Sequence, residues 1–343
     1  MANPATSRAR DEDGPDSFAD RATRLYARIG FLPIVLAVLI VVLALFVPHF
    51  AALQNVFNVL RASSYLVIMA AGQMLVLIVG GFDLSVGAVV VLTSVSSAMV
   101  MAALKVPLAA HPGVIIALGV LAGVGSGLAV GLVNGLCVAF LRISPFMVTL
   151  GTMSIATGVA LLLTNGIPVY GMPASYVNGF GRGLWLELPT AVYVAAVIVL
   201  LVWVMQNFTR MGRYIYAIGG NLQAAIVSGV RTKTYLVLAY ALCSMLSSVS
   251  GLALTAEIGS GQAVMSSQLT LESIAAAVIA GVSLKGGVGR VEMVTLAAIF
   301  LLILTNAMDL LKIDPRIQTI FLGSIVVVAV ALDEMAKRRA TIV

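Results

Sequence analysis

Charge is what this chain has least of. Only 10% of its 343 residues are Asp, Glu, Lys or Arg, while 61% are hydrophobic and the mean hydropathy is +1.09. A soluble domain carries about 25% charged residues, so a water-facing surface cannot be covered here and a soluble protein is excluded. The apolar runs are continuous and near span length rather than alternating, which excludes a β-barrel. Histidine is almost absent: His49 and His111 lie near the ends of apolar runs beside prolines, so no Ser/His/Asp set is plausible. No His, Cys, Asp and Glu cluster has metal-ligand spacing. Cys137 and Cys243 both sit inside apolar runs and read as buried packing residues. No phosphate loop occurs; GVSLKGGVGR lacks its spacing and its Lys-Ser/Thr ending. The chain is therefore expected to hold no catalytic residues, no metal and no cofactor of its own. The formal charge of +6 suits nucleic acid in principle, but the bases gather at the ends of apolar runs.

What is present is an all-α polytopic membrane pattern. Ten spans are predicted, at roughly 30–48, 64–81, 86–104, 113–140, 146–164, 188–206, 235–256, 271–284, 291–311 and 317–332. The eighth is short for a crossing of about 20 residues, and a broken or re-entrant segment there reduces the count to eight or nine. Residues 1–28 are polar and mixed in charge, and read as a disordered tail. They are too long and too acidic for the n-region of a cleaved signal. Residues 29–335 form the membrane domain, with a loop at 207–234, and 336–343 a short basic tail. With the N-terminus in the cytoplasm and the spans alternating, fifteen of the 20 bases fall inside: five in the N-terminal tail, then Arg142, Arg210, Arg213, Arg231, Lys233, Lys285, Arg290, Lys337, Arg338 and Arg339. Arg61, Lys105, Arg182, Lys312 and Arg316 fall outside. The positive-inside rule supports this orientation, with both termini inside.

LRISPFMVTLGT from Leu141 and LKIDPRIQTIFLGS from Leu311 share a Leu, a base, an Ile, a polar residue and a Pro, followed by Thr and a Leu-Gly-Thr/Ser. In the alternating topology they leave opposite sides of the membrane. They read either as marks of an inverted repeat, spans 2–5 against 7–10, or as coincidence in a restricted alphabet. Pro145 and Pro315 fit the first turn of a helix. Gly119–Gly135 places small residues every three or four positions, a pattern for close helix packing, with a dimer contact as the alternative.

Few polar residues lie in or beside the spans. In Gly80–Gly87, GGFDLSVG, the glycines permit a tight turn; Asp83 is either the N-cap of the next helix or, with Ser85, part of a pathway or gate. Asn134, Asn165, Glu272 and Asn306 are the remaining pathway candidates. Asn134 and Asn306 equally suit a bond to a neighbouring helix, and Glu272 equally suits a helix start.

Gly212–Val230, GRYIYAIGGNLQAAIVSGV, carries no span and lies among Arg210, Arg213, Arg231 and Lys233. Ala217–Asn221 reads as a turn, Asn221 as N-cap of a short helix over Leu222–Ser228, and Gly229 as its left-handed stop. Leu222, Ala225 and Ile226 fall at i, i+3 and i+4 and give it one apolar side. These residues alone leave open a partner-docking helix and a membrane-surface helix.

Together, GGFDLSVG, NGLCVAFLRISPFMVTLGTMSIATGVALLLTNG, GRYIYAIGGNLQAAIVSGV and ESIAAAVIAGVSLKGGVGR resemble the permease subunits of bacterial ABC importers for monosaccharides, of ribose, xylose and galactose type, over most of residues 55–333. The resemblance implies a multi-pass protein of the bacterial inner membrane. Its partners would be ABC ATPase subunits that bind ATP-Mg, a periplasmic sugar-binding protein and a second permease copy, identical or paired. It implies that Ile218, Gly219, Gly220, Asn221, Ala224, Ala225, Ser228 and Gly229 form the coupling segment that docks on the ATPase, with Ala224, Ala225 and Ser228 as the expected contacts. The chain departs from many relatives at Gly289-Arg290-Val291-Glu292-Met293, which weakens inference about that loop. The competing reading is an ion-coupled secondary transporter of a small polar solute. It needs titratable groups near the midplane, and the spans offer chiefly Asp83 and Glu272. A non-transporting scaffold is the third.

Overall fold

A computed structural model describes residues 32–264 and 266–341; the tail read at 1–28 lies outside the described residues. Among the described residues, ten helices of 14 residues or more fall near the ten expected spans. They are α1 (Leu32–Phe46), α2 (Leu53–Ile78), α3 (Val86–Leu104), α4 (Pro112–Phe140), α5 (Pro145–Thr164), α6 (Thr190–Phe208), α9 (Thr232–Ile258), α10 (Ser266–Ile279), α11 (Val291–Leu310) and α12 (Pro315–Thr341). Two shorter helices, α7 (Arg210–Gly220) and α8 (Leu222–Val227), occupy the expected loop. Among the described residues seven helices are long and apolar enough to cross a membrane, namely α2 to α6, α9 and α11. The second span begins eleven residues before its expected start at 64. The eighth, α10, runs 266–279 rather than 271–284, and α12 continues past 332 to Thr341.

α2 is the central post. From Ser63 to Ile78 every residue is buried, and α6, α9, α10 and α11 pack around it. α4 binds to this centre through Gly119, Gly123, Gly127, Gly131 and Gly135, all buried. A Cβ at Gly127 would lie 2.8 Å from Val89 of α3, and one at Gly131 would lie 2.7 Å from the carbonyl of Tyr240 on α9. The small-residue stripe is therefore internal packing. Hydroxyls tie the same three helices: Thr93 Oγ1 donates to the Gly123 carbonyl at 3.1 Å, and Thr255 Oγ1 to Ser94 Oγ at 2.6 Å. In an apolar surrounding such bonds add about 0.6 kcal/mol each on average. Cys243 is fully buried, as expected, but Cys137 is only half-buried; both thiols are free.

The two LxIxP segments share a left-handed residue and a proline-led helix start. Arg142 and Lys312 both take left-handed φ, +57° and +56°. The returning bonds differ: the Ile143 N–H reaches the Cys137 carbonyl, six residues back, at 3.5 Å, and the Ile313 N–H the Met308 carbonyl, five back, at 3.0 Å. Pro145 and Pro315 both start helices, and four residues on Thr149 and Thr319 each donate a hydroxyl to that proline's carbonyl at 2.9 Å.

Between α5 and α6 a π-helical turn (Ser175–Gly181) leads into a small hairpin, β1 (Leu184–Trp185) and β2 (Leu188–Pro189), paired Leu184 with Pro189 and Trp185 with Leu188. Its two loop residues, Leu186 and Glu187, both have positive φ, +46° and +64°. Such turns prefer Asn-Gly, and left-handed φ costs roughly 1–2 kcal/mol for a residue with a Cβ.

Candidate coupling site

The site begins where α6 turns into α7. Thr209 Oγ1 accepts the Gly212 N–H at 3.1 Å and caps α7. Gly212 lies so close under α6 that a Cβ there would be 2.3 Å from the Met205 carbonyl. Gly212, Ile215 and Ile218 form the buried side of α7. Tyr214 meets Tyr235 of α9 with ring centres 4.9 Å apart. Gln206 donates to the Tyr216 hydroxyl at 2.8 Å and accepts the Val291 N–H at 3.2 Å, while Tyr216 donates to the Gly289 carbonyl. Burial raises the Tyr216 pKa to about 12, so this hydroxyl keeps its proton at neutral pH.

Residues 217–221 are not a turn. Helix α7 runs to Gly220, and neither Gly219 nor Gly220 takes a left-handed backbone. At Gly219 three segments meet backbone to backbone. A Cβ there would lie 1.7 Å from the Ile78 carbonyl and 2.4 Å from the Gly287 nitrogen. The Gly287 N–H donates to that same Ile78 carbonyl at 2.8 Å. Gly286 and Gly287, at φ +92° and +75°, lie against Gly219 and Gly220, and a Cβ at Gly286 would be 2.9 Å from the Gly80 nitrogen. The end of α2, the end of α7 and the 283–289 loop are thus joined by a glycine contact that no side chain fits. The G-G pairs were visible in the sequence; their meeting was not.

Asn221 is the N-cap of α8, its Oδ1 accepting the Ala224 N–H at 2.9 Å. Gly229 closes the helix at φ +78°, and the Val230 N–H returns to the Ala225 carbonyl at 3.0 Å. Both features match expectation. The faces do not. Ala225 is only 4% exposed and packs into the protein's own core, as does Ile218 at 3%. Neither is free to touch a partner, and Gly219 is engaged inside as well. The outward apolar surface consists of Leu222, Ile226 and Val227, the last 87% exposed. Ala224, Ser228, Gly229 and Gly220 are also exposed, as are Arg210, Arg213, Arg231 and Lys233 around them. The Lys233 ammonium sits 5.0 Å above the Phe140 ring.

Behind this surface the α2–α3 turn carries a buried polar chain. Gly80 takes φ +76°, and the Phe82 carbonyl accepts from Tyr240 and Thr149 at 3.4 Å each. Asp83 is not the cap of α3; the N-cap is Ser85, and Asp83 folds back on it. Asp83 Oδ1 accepts the Ser85 N–H at 2.8 Å and the Ser85 hydroxyl at 2.6 Å. Asn134 donates to Ser85 Oγ at 2.9 Å, and Thr152 donates to Asn134 Oδ1 at 2.7 Å. Asp83, Ser85 and Asn134 are fully enclosed. Three of the six expected pathway residues are therefore in one chain, with Thr152 as a member that sequence reasoning missed.

The other three lie apart. Asn165 is an exposed left-handed C-cap at the far end of α5, φ +52°. Asn306 exchanges bonds with Asn55 at 2.9 and 2.8 Å, fastening α11 to α2. Glu272 accepts from Gln268 at 2.9 Å; it is the seventh residue of α10, not its start, since the helix begins at Ser266. Among the described residues no group of His, Cys, Asp and Glu suits a metal ion.

Comparison with known proteins places the chain in a family. A family model described as the permease component of a branched-chain amino acid transport system matches residues 55–330. The ribose import permease protein RbsC of Escherichia coli K12 is 35% identical over 303 residues, 88% of this chain and 92% of its own. RbsC of Bacillus subtilis strain 168 is 32% identical, covering 87% and 90%. The galactose/methyl galactoside import permease protein MglC of E. coli K12 is 34% identical, covering 92% and 96%. No solved structure matches. With the match running from the start of α2 into α12 and taking in the capped helix, the glycine contact and the buried polar chain alike, this chain belongs to that family of transport-system permease components.

Proposed function

We propose that this chain is the transmembrane permease subunit of an ATP-binding-cassette importer for a monosaccharide in a bacterial inner membrane. The observation that carries the reading is α8. A two-turn helix, capped at both ends and braced by the glycine contact, presents Leu222, Ile226 and Val227 outward within a ring of bases. Such a surface suits a cleft on a separate ATPase subunit, which would bind ATP-Mg. Without a phosphate loop the chain needs an external motor.

The substrate class follows from chemistry and kinship together. The family's description refers to branched-chain amino acids, but the relatives above are import permeases for ribose and for galactose and methyl galactoside. An amino acid carries two opposite charges, and the described spans offer few ionised partners for them. On this reading the permease works as a pair with a second copy, identical or related. Sugar handed over by a periplasmic binding protein crosses between two half-bundles, with α7, α8 and both termini in the cytoplasm. The left-handed residues at Arg142 and Lys312 and the proline-led helix starts after them support an inverted repeat of α2–α5 and α9–α12. The buried chain from Asp83 to Thr152 would set the position of α3, α4 and α5 next to the gate.

The test is reconstitution in liposomes with the neighbouring ATPase and binding protein. ATP-dependent uptake of a sugar that the binding protein recognises is expected. Uptake by the purified chain alone, driven by an ion gradient, would refute the reading.

A further inference from the structure

The hairpin before α6 has no part in the coupling surface, and its composition is odd for a loop in water. Leu184, Trp185, Leu186 and Leu188 are 38–75% exposed, with Glu187 the one ionisable group between them. Two bases approach it, and both are engaged: the Arg182 Nε donates to the Glu257 carbonyl at 3.0 Å and its guanidinium also to the Ile258 carbonyl, both at the end of α9, while the Arg61 guanidinium donates to the Arg182 carbonyl at 3.1 Å. The finger therefore offers a water-soluble partner little charge, yet it is held in shape. Trp185 packs edge-on against Tyr193 with centres 4.8 Å apart, and the Tyr193 hydroxyl donates to the Trp185 carbonyl at 2.7 Å.

Tyr193 is also the first residue of an outward stripe along α6. Val197, Leu200, Val204 and Phe208 follow at helical spacing, each 38–67% exposed. This is the face a membrane-crossing helix shows to acyl chains. Helix α6 has 19 residues, and at 1.5 Å per residue it is about 28 Å long, close to the roughly 30 Å hydrocarbon core of a bilayer. A second aromatic pair, Trp203 with Phe208 at 5.3 Å, marks its other end. Aromatic pairs at both ends of one apolar stripe are the arrangement of residues that settle at the two membrane–water boundaries.

We propose that hairpin 184–189 is a lipid-anchoring finger. The Leu184, Trp185, Leu186 and Leu188 side chains enter the boundary of the bilayer leaflet opposite the coupling helix, with phospholipid as the partner and the Glu187 carboxylate at headgroup level. The left-handed φ at both Leu186 and Glu187 turns the tip tightly enough to project these side chains together. Held at the boundary, the finger fixes the depth of the α6 end nearest the π-helical turn.

The chain has two tryptophans, which makes the test direct. Trp203→Phe leaves Trp185 as the only reporter, and Trp185→Phe leaves Trp203. Both variants and the parent, as full chains in phospholipid nanodiscs, are titrated with iodide and compared in discs of lipid brominated near the headgroup end of the acyl chains. If the finger is in lipid, brominated lipid lowers Trp185 emission by about half or more and iodide quenches it weakly, as for interfacial tryptophan. Strong iodide quenching without bromolipid quenching would overturn the proposal and send the finger to an aqueous partner such as a binding protein. Quenching by neither would overturn it in favour of cover by a second copy. Should Trp203→Phe misfold, the difference between the parent and Trp185→Phe isolates the same signal.

Discussion

Gly219 and Gly220 are neighbours in sequence, identical in type, and opposite in surroundings, so a single methyl group separates their roles. In Gly219→Ala the new Cβ would fall 1.7 Å from the Ile78 carbonyl and 2.4 Å from the Gly287 nitrogen. Both are backbone atoms, and they share a 2.8 Å hydrogen bond. Neither can rotate away, so the end of α7 must lift or the bond between α2 and the 283–289 loop must open. Forced overpacking costs typically 1–3 kcal/mol, and a buried backbone group left unpaired about 1–3 kcal/mol. A combined penalty of about 3 kcal/mol shifts the balance between seated and displaced α7 by roughly 100-fold or more. In Gly220→Ala the Cβ meets nothing within 4 Å, and replacing Gly by Ala in a helix is neutral to slightly favourable. The assay is thermal unfolding of the two purified variants in detergent, followed by ATP-driven uptake in liposomes. Gly219→Ala should melt clearly below the parent and lose most uptake, while Gly220→Ala matches the parent in both. Equal behaviour of the two variants would refute the glycine contact as the brace of the coupling helix.

Three further outcomes are expected. Val227→Asp, at a position 87% exposed, should leave the melting temperature unchanged and weaken co-purification of the ATPase at least tenfold, about 1.4 kcal/mol; intact association would exclude α8 as the contact. Asp83→Ala removes the acceptor of both Ser85 bonds and should cost about 1–3 kcal/mol. Asp83→Asn keeps Oδ1 and should retain most of the stability, so equal losses in unfolding curves would count against the geometry. Gly131→Val places a Cβ 2.7 Å from the Tyr240 carbonyl and from Ser244, and should separate α4 from α9 with a loss of 1–3 kcal/mol. Gly125→Val, which meets nothing within 4 Å, is the control; if both melt alike, the stripe is not the packing face.

Hydrophobic run length located the long helices because the membrane's thickness selects it, and a run near 20 residues carries that signal alone. Local chemistry located the cap at Asn221 and the stop at Gly229 for a similar reason: both depend on bonds within three to five residues. Errors arose where a distant contact decided. Ala217–Asn221 reads as a turn from Gly-Gly alone, but Ile78 and Gly287 supply a surface that admits a helix without side chains at that point. Ala225 completes an apolar side with Leu222 and Ile226 by spacing, yet the protein's own core covers it and exposes Val227 instead. Glu272 seems to open a helix because the apolar run starts beside it, whereas α10 starts six residues earlier in a polar stretch.

The sequence by itself determined the class of molecule, the order of the apolar helices along the chain and the local form of α8. Each depends on composition or on spacing within a few turns. Only the tertiary structure decided which side of α8 faces outward, that Gly80, Gly219, Gly286 and Gly287 are one contact, and that Asp83, Ser85, Asn134 and Thr152 are one chain of hydrogen bonds. The reason is sequence separation. In a chain so uniformly apolar, side-chain identity says that a residue is buried but not against what, and the partner of a glycine 140 residues away is chosen by backbone shape rather than by chemical type.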